Sequence, residues 1–343
     1  MMSFLINNLI QPLNSLVFGE ATAAPSPRPG TRDENGLYEP TPTDIFVVRA
    51  MLVKAMRLPP DIVDAVFDYA EYWAHSSNYI DYIEEHKNPL RILGGSASEN
   101  RFLLRSFPVG FTSLGDRQSL ADTLTYDMNE ATPRPLSREH DPQFFESLLN
   151  HPTPKLARPV RKVVFTVKMK DQGWVGGRQH QKGAFNGSWT WVEAGLERFD
   201  SEQECDENCV ADARYNSASS TAHALPLCAL RSIYPEAKSA REEGKFNYQH
   251  ELAADQEREI QRSRLATREW LSKTITWRWT DSIDPESEDG EELFQEGRGR
   301  GSATGEFVRN LKLGDVITIW GKARFRGWVL NLEKVKVDVY WAV

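Results

Sequence analysis

The strongest constraint on the fold is a period of two that recurs through the second half of the chain. In RKVVFTVKM, Val163, Phe165, Val167 and Met169 alternate with Lys162, Val164, Thr166 and Lys168. KVKVDVYW repeats the pattern, with Val335, Val337, Val339 and Trp341 set against Lys334, Lys336, Asp338 and Tyr340. Successive side chains of a strand point to opposite faces, so these runs predict strands with one buried face. KTITWRW puts Ile275, Trp277 and Trp279 on one face. LGDVITIWGKARF sets Ile317, Ile319, Ala323 and Phe325 against Thr318, Trp320, Lys322 and Arg324, with Gly321 a candidate bulge. GSWTWVEAGLERF reads as a further strand or hairpin. Long loops rather than regular helices join these runs, which indicates an antiparallel β-sandwich.

The first half reads differently. Residues 1–42 are expected to be a disordered amino-terminal segment, with GEATAAPSPRPGTRDENGLYEPTP rich in Pro, Gly and charge. A small helical module is expected over 43–86. Thr43 is a candidate N-cap, Pro59 and Pro60 end a first helix, and Pro60 with Asp61 opens a second. Ile62, Val63, Val66, Phe67, Ala70 and Trp73 form its apolar stripe. Residues 87–159 carry little pattern beyond a short helix in DPQFFESLLN, capped by Asp141, and are expected to be an irregular connection. The sandwich is then expected over 160–343, with insertions at about 200–262 and 281–300. The charged run AREEGKFNYQHELAADQEREIQRSR in the first insertion suits an exposed helix or a disordered segment. DSIDPESEDGEELFQE in the second reads as a solvated acidic loop, since Pro285 and Phe294 disturb the ligand spacing of a calcium loop.

Charge and cysteine use narrow the function classes. A net charge of −8 argues against general attraction to nucleic acid or anionic membrane. No apolar run approaches the roughly 20 residues needed to span a bilayer. The amino terminus lacks Lys or Arg before its apolar part, and Asn7, Asn8, Gln11, Pro12 and Asn14 interrupt that part. An intracellular location, in cytoplasm or nucleus, is therefore expected. Cys205, Cys209 and Cys228 cannot all pair within one chain. With His223 they offer four donors, but the spacing lacks the second close pair of known zinc modules, so neither metal nor cofactor is expected.

Nine of the ten tryptophans, all but Trp73, lie between Trp174 and Trp341. Trp189 and Trp191 are expected in the core. Trp174 and Trp328 sit in the Gly-flanked stretches DQGWVGG and FRGWV, where an indole suits stacking on a sugar or another flat ligand. Asp171, Gln172 and Arg178 lie near Trp174 and supply hydrogen-bonding groups. Arg298 and Arg300, between glycines in EGRGRG, could grip an anion, although pairing with the preceding acidic run is the simpler account. No nucleophile elbow, HExxH or Cys–His arrangement is present, so no catalytic residues are assigned. Glu193 and Glu197 would lie roughly 13 Å apart along a strand, wider than a glycosidase pair. A non-catalytic protein is thus favoured over a carbohydrate-active enzyme, and a structural scaffold is a third reading.

LPPDIVDAVFDYA resembles the opening of an F-box, the helical module that docks ubiquitin-ligase receptors on the Skp adaptor. Leu58, Pro59, Asp61, Ile62, Val66 and Phe67 carry the resemblance, which covers about one helix. It implies a partner face made by Leu58, Pro59, Ile62, Val66 and Phe67. The Trp pattern of roughly the last 180 residues resembles a carboxy-terminal domain of uncharacterised fungal proteins, with which no activity comes. The layout, a helical module followed by a jelly-roll or galactose-binding-like sandwich, is similar to that of sugar-recognising F-box receptors. The expectation is an α+β recognition protein, a substrate-receptor subunit whose β-sandwich binds a protein or glycan.

Overall fold

The computed structural model describes residues 31–32, 38–111, 129–149, 158–174, 176, 182–203, 225 and 227–343. Arg178, Cys205, Cys209 and His223 lie outside the described residues, as does most of the segment 1–42 expected to be disordered. Within that segment, β1 (Thr31–Arg32) pairs antiparallel with β2 (Tyr38–Glu39). Helix α1 (Pro42–Ala50) is capped by Thr41, two residues before the expected cap Thr43. Thr41 and Asp44 form a reciprocal capping box, and Pro42, which has no N–H to satisfy, takes the first turn. A π-helical turn at Met51–Ala55 leads to α2 (Pro60–Tyr69), which begins at the proline pair as the sequence indicates.

The expected helical module ends earlier than residue 86. Ala74–Asp81 is strand β3, followed by the single turn α3 (Tyr82–His86). The stretch expected to be irregular contributes β4 (Leu90–Leu93), β5 (Asn100–Arg105) and α4 (Pro142–Leu148), the last capped by Asp141 as its sequence indicates. The remaining strands are β6 (Val160–Lys170), β7 (Thr190–Phe199), β8 (Leu230–Tyr234), β9 (Ala237–Ser239), β10 (Phe246–Tyr248), β11 (Glu259–Arg262) and β12 (Leu271–Arg278). Helices α5 (Glu288–Gln295) and α6 (Glu306–Arg309) precede β13 (Val316–Ala323) and β14 (Val329–Trp341).

Two five-stranded antiparallel sheets result. One has the order β12-β6-β14-β3, with β4 also on β14; the other has β11-β7-β13-β5, with β8 also on β7. Across the two sheets the outermost strands in sequence pair with one another: β3 with β14, β5 with β13, β6 with β12 and β7 with β11. Val163, Phe165, Val167 and Met169 of β6 share one apolar core with Val335, Val337 and Val339 of β14 and with Val192, Ala194, Ile317 and Ile319 of the second sheet. The alternating apolar positions are thus the inner faces of an antiparallel sandwich.

The helical pair joins this core instead of standing apart from it. Ile45, Val63 and Phe67 belong to the same cluster as the sheets. Arg49 donates to the Val343 carbonyl at 3.0 Å, and Arg161 of β6 donates to Asp68 of α2 at 2.9 Å. No helix among the described residues is long and apolar enough to cross a membrane.

The insertions also depart from expectation. The charged run after residue 240 is neither helix nor disorder: it supplies β10 and β11, and β11 extends the second sheet on β7. It also shields that sheet's outer face, where Trp320 is only 2% exposed, with Tyr248, His250 and Phe102 against its ring. Trp320 is therefore core, not a surface residue. Two buried ion pairs lie on this face. Arg105 makes two bonds to Glu197, at 2.6 and 3.0 Å, and Lys322 bonds Glu193 at 2.8 Å. Gly321 lies near a register shift at Ile319/Trp320, and a Cβ there would sit 2.4 Å from Ile92 Cδ1, so close packing demands the glycine. In the acidic insertion, α5 replaces the expected loop. Ser287 caps its N-terminus, where Glu288, Asp289 and Glu291 meet the positive end of the helix dipole.

Candidate functional site

One end of the sandwich gathers the exit of β6, the approaches to β7 and β12, strand β4 and the β13–β14 connection. Asp171 follows β6 and is buried. Its carboxylate accepts from the Gly173 amide at 2.7 Å and from the Ala266 amide, while Asn331 Nδ2 donates to its carbonyl at 3.0 Å. Burial pushes the Asp171 carboxyl above the ordinary carboxylate range against these amide bonds. Its role here is to hold the turn in which Gly173 takes a φ of +81°.

Gln172 secures the next step. Its Nε2 donates to the Trp174 carbonyl at 2.8 Å, and its Oε1 accepts from the Val329 amide at 3.1 Å. Trp174 is left 61% exposed. Opposite it, Gly327 has a φ of +92°, and a Cβ at that position would lie 3.6 Å from Trp174 Cη2. Trp328 is half-buried, and its carbonyl accepts from the Gly94 amide at 2.9 Å. Trp189 is half-buried too, with its ring edge-to-face against Phe325 at 4.8 Å.

Trp174 forms the ridge between two open pockets. The smaller, of about 220 Å³, is lined by Trp174, Trp189, Trp328, Gln172 and Arg326, with Gly176 and Gly327. The larger, of about 540 Å³, runs from Trp174 and Gln172 to Arg91, Lys170, Arg268, Val329 and Asn331. Lys170 Nζ also lies 4.4 Å from the centre of the Trp270 ring. Among the described residues, Asp171 is the only acidic one in either lining.

The structure thus brings together four of the expected ligand residues: Asp171, Gln172, Trp174 and Trp328. It places Arg298 and Arg300 elsewhere. Arg300 is paired with Glu291 and lies over the Phe294 ring, and Arg298 reaches Ser302 at 3.4 Å. Burial lowers the Arg298 pKa, opposed by Asp281 and Glu296. Trp189, expected in the core, is half-buried and lines the smaller pocket instead, and Arg91, Lys170, Arg268 and Arg326 are additions that the sequence alone did not single out. Arg326 and Lys170 flank the FRGW and DQGW stretches; Arg91 and Arg268 carry no local signal at all.

Of the five expected partner-face residues, Pro59, Ile62 and Val66 are exposed. Leu58 packs against the core and Phe67 lies within it. Among the described residues no cluster of three or more His, Cys, Asp or Glu side chains could hold a metal. Glu193 and Glu197 are tied to Lys322 and Arg105 away from the pockets. The chain is defined by these features as an antiparallel sandwich with an aromatic, cation-lined groove at one end. No protein family, curated protein or solved structure matches it.

Proposed function

We propose that the chain is a non-catalytic recognition protein whose sandwich groove binds a glycan, free or carried on a protein. In this reading the α1–α2 pair docks on a Skp-type adaptor, which makes the whole a substrate receptor of a ubiquitin ligase in the cytoplasm or nucleus. The single observation that carries the recognition reading is Trp174, 61% exposed between two pockets, on a backbone that Gln172 links to Val329. An exposed indole between two pockets is arranged to stack on a flat or ring-shaped ligand.

The strand pairing supports a jelly roll. Eight strands pair first with last, second with seventh, third with sixth and fourth with fifth, as in an antiparallel ribbon folded over on itself into two Greek keys. Jelly rolls and galactose-binding-like sandwiches present ligand loops at one end, where this groove lies.

The adaptor reading is supported by an apolar stripe that the sandwich does not cover. Ile62, Val66 and Tyr69 are 46%, 43% and 95% exposed and recur at helical spacing, with Met56 exposed just before the helix. Both parts are tested with the purified full chain. Fluorescence titration with a panel of oligosaccharides should give saturable quenching that Trp174→Ala removes. Co-purification with a recombinant Skp adaptor should be lost with Val66→Asp. Failure of wild type to bind any oligosaccharide overturns the first half, and failure to retain the adaptor overturns the second.

A further inference from the structure

Building on the glycan reading of the groove, we infer that its ligand is anionic: a sugar bearing a carboxylate, sulfate or phosphate. The acid group sits in the larger pocket among Arg91, Lys170 and Arg268, while Trp174 stacks on the ring that carries it or on its neighbour. Three observations support this. The pocket collects three cations from parts of the chain far apart in sequence, within β4, at the end of β6 and ahead of β12. None of the three forms an ion pair with a carboxylate among the described residues. The one acidic residue among the described lining residues, Asp171, has its carboxylate directed to the Gly173 and Ala266 amides.

Against the whole-chain charge of −8, a pocket whose described lining has three cations and a single acid, Asp171, engaged by backbone amides, is a local reversal of sign. Elsewhere the chain pairs its cations readily, as with Arg198 on Asp315 and Glu139, Lys168 on Glu333, and Lys312 on Glu139. Arginine and lysine left unpaired around a concavity concentrate positive potential there. The fork of an arginine matches carboxylate, sulfate and phosphate oxygens. Arg326 adds a fourth cation in the smaller pocket, on the other side of the Trp174 ridge. A ligand lying across the ridge therefore meets positive charge at both ends and an indole in the middle, the requirements of a short acidic oligosaccharide.

The test is calorimetric titration of the full chain with four probes: oligogalacturonate for carboxylate, a chondroitin sulfate oligosaccharide for sulfate, mannose 6-phosphate for phosphate, and cellohexaose as the neutral control. The expected result is binding to at least one anionic probe, weakened about tenfold or more by Arg91→Gln with Arg268→Gln and abolished by Trp174→Ala. Binding should also weaken as ionic strength rises. All three substituted residues are exposed, so melting temperatures should match wild type. Equal affinity for neutral and anionic probes, or an anionic affinity that the double variant leaves intact, overturns the anionic assignment while leaving a glycan groove. No binding to any probe overturns both. Preferential binding of a single-stranded oligonucleotide, sensitive to the same variants, would assign the charge to another ligand and overturn the inference.

Discussion

Gln172 bonds through Nε2 to the carbonyl of Trp174 at 2.8 Å, and its other amide atom takes the N–H of Val329 across the groove. One side chain thereby ties the backbone that carries the exposed indole to the strand that forms the opposite wall. Replacing Gln172 with Leu keeps similar bulk and removes both bonds. The expected cost is about 1–2 kcal/mol of stability, with a larger loss in ligand affinity and a broader Trp174 environment. Denaturant unfolding and fluorescence anisotropy measure the two effects separately. An unchanged affinity would show that the tether has no part in binding.

Glu197 and Arg105 form a two-bond ion pair in which both side chains are almost completely buried. Removing one partner leaves the other charged and without its counterpart in the interior. Glu197→Ala should therefore destabilise the sandwich by about 3–5 kcal/mol. Arg105→Met with Glu197→Leu should recover much of that loss, because it removes both charges. Urea unfolding of the three proteins checks this.

Two groups, Glu259 and His250, contribute to the pH dependence of stability in opposite directions. Burial pushes the Glu259 carboxyl up from 4.5 to about 7, despite its pairing with Arg262. The folded state then binds more protons than the unfolded state between about 4.5 and 7, so this group stabilises the fold as pH falls through that window. Burial, with Lys322 and Arg324 nearby, pulls His250 down from 6.5 to about 3. Here the unfolded state binds more protons, and stability falls as pH drops from 6.5 toward 3. Between about 4.5 and 6.5 the two contributions offset one another. Glu259→Gln should therefore make the chain lose stability more steeply on acidification, and His250→Gln less steeply. Thermal melts from pH 4.5 to 7.5 would reveal it; identical slopes in both variants would contradict it.

Leu58 and Val66 should respond differently to the same substitution. Leu58 packs against the core, so Leu58→Asp should lower the melting temperature whether or not a partner exists. Val66 is exposed on α2, so Val66→Asp should leave stability within about 0.5 kcal/mol of wild type. A large stability loss with Val66→Asp would mean that α2 packs differently from the arrangement described.

The strands that the sequence reveals are those whose two faces meet different surroundings. β6, β12 and β14 have apolar residues inward and polar residues outward, so alternation shows them directly. β13 is buried on both faces because an earlier segment, carrying Tyr248 and His250, covers its outer side, so Trp320, which alternation sets on the polar face with Thr318 and Lys322, is buried. β3 escaped notice because Ser76 and Asn78 point inward; Asn78 donates to the Arg105 carbonyl at 2.7 Å, a polar contact that hydrophobic periodicity cannot register. Trp189 and Trp191, two residues apart, separate because β7 starts at Thr190: Trp191 enters the sheet and is buried, while Trp189 precedes it and lines the groove. The glycines flanking Trp174 and Trp328 marked half of the site. Arg91 and Arg268 reach it only through the strand order, which no local pattern encodes.

The most direct test of the groove as a recognition site is calorimetric titration of the full chain, and of Trp174→Ala, with an acidic oligosaccharide such as oligogalacturonate or a chondroitin sulfate fragment. The account predicts saturable binding by wild type that disappears in the variant while its melting temperature is unchanged. Wild type that binds neither probe, or a variant that binds as well as wild type, would contradict it.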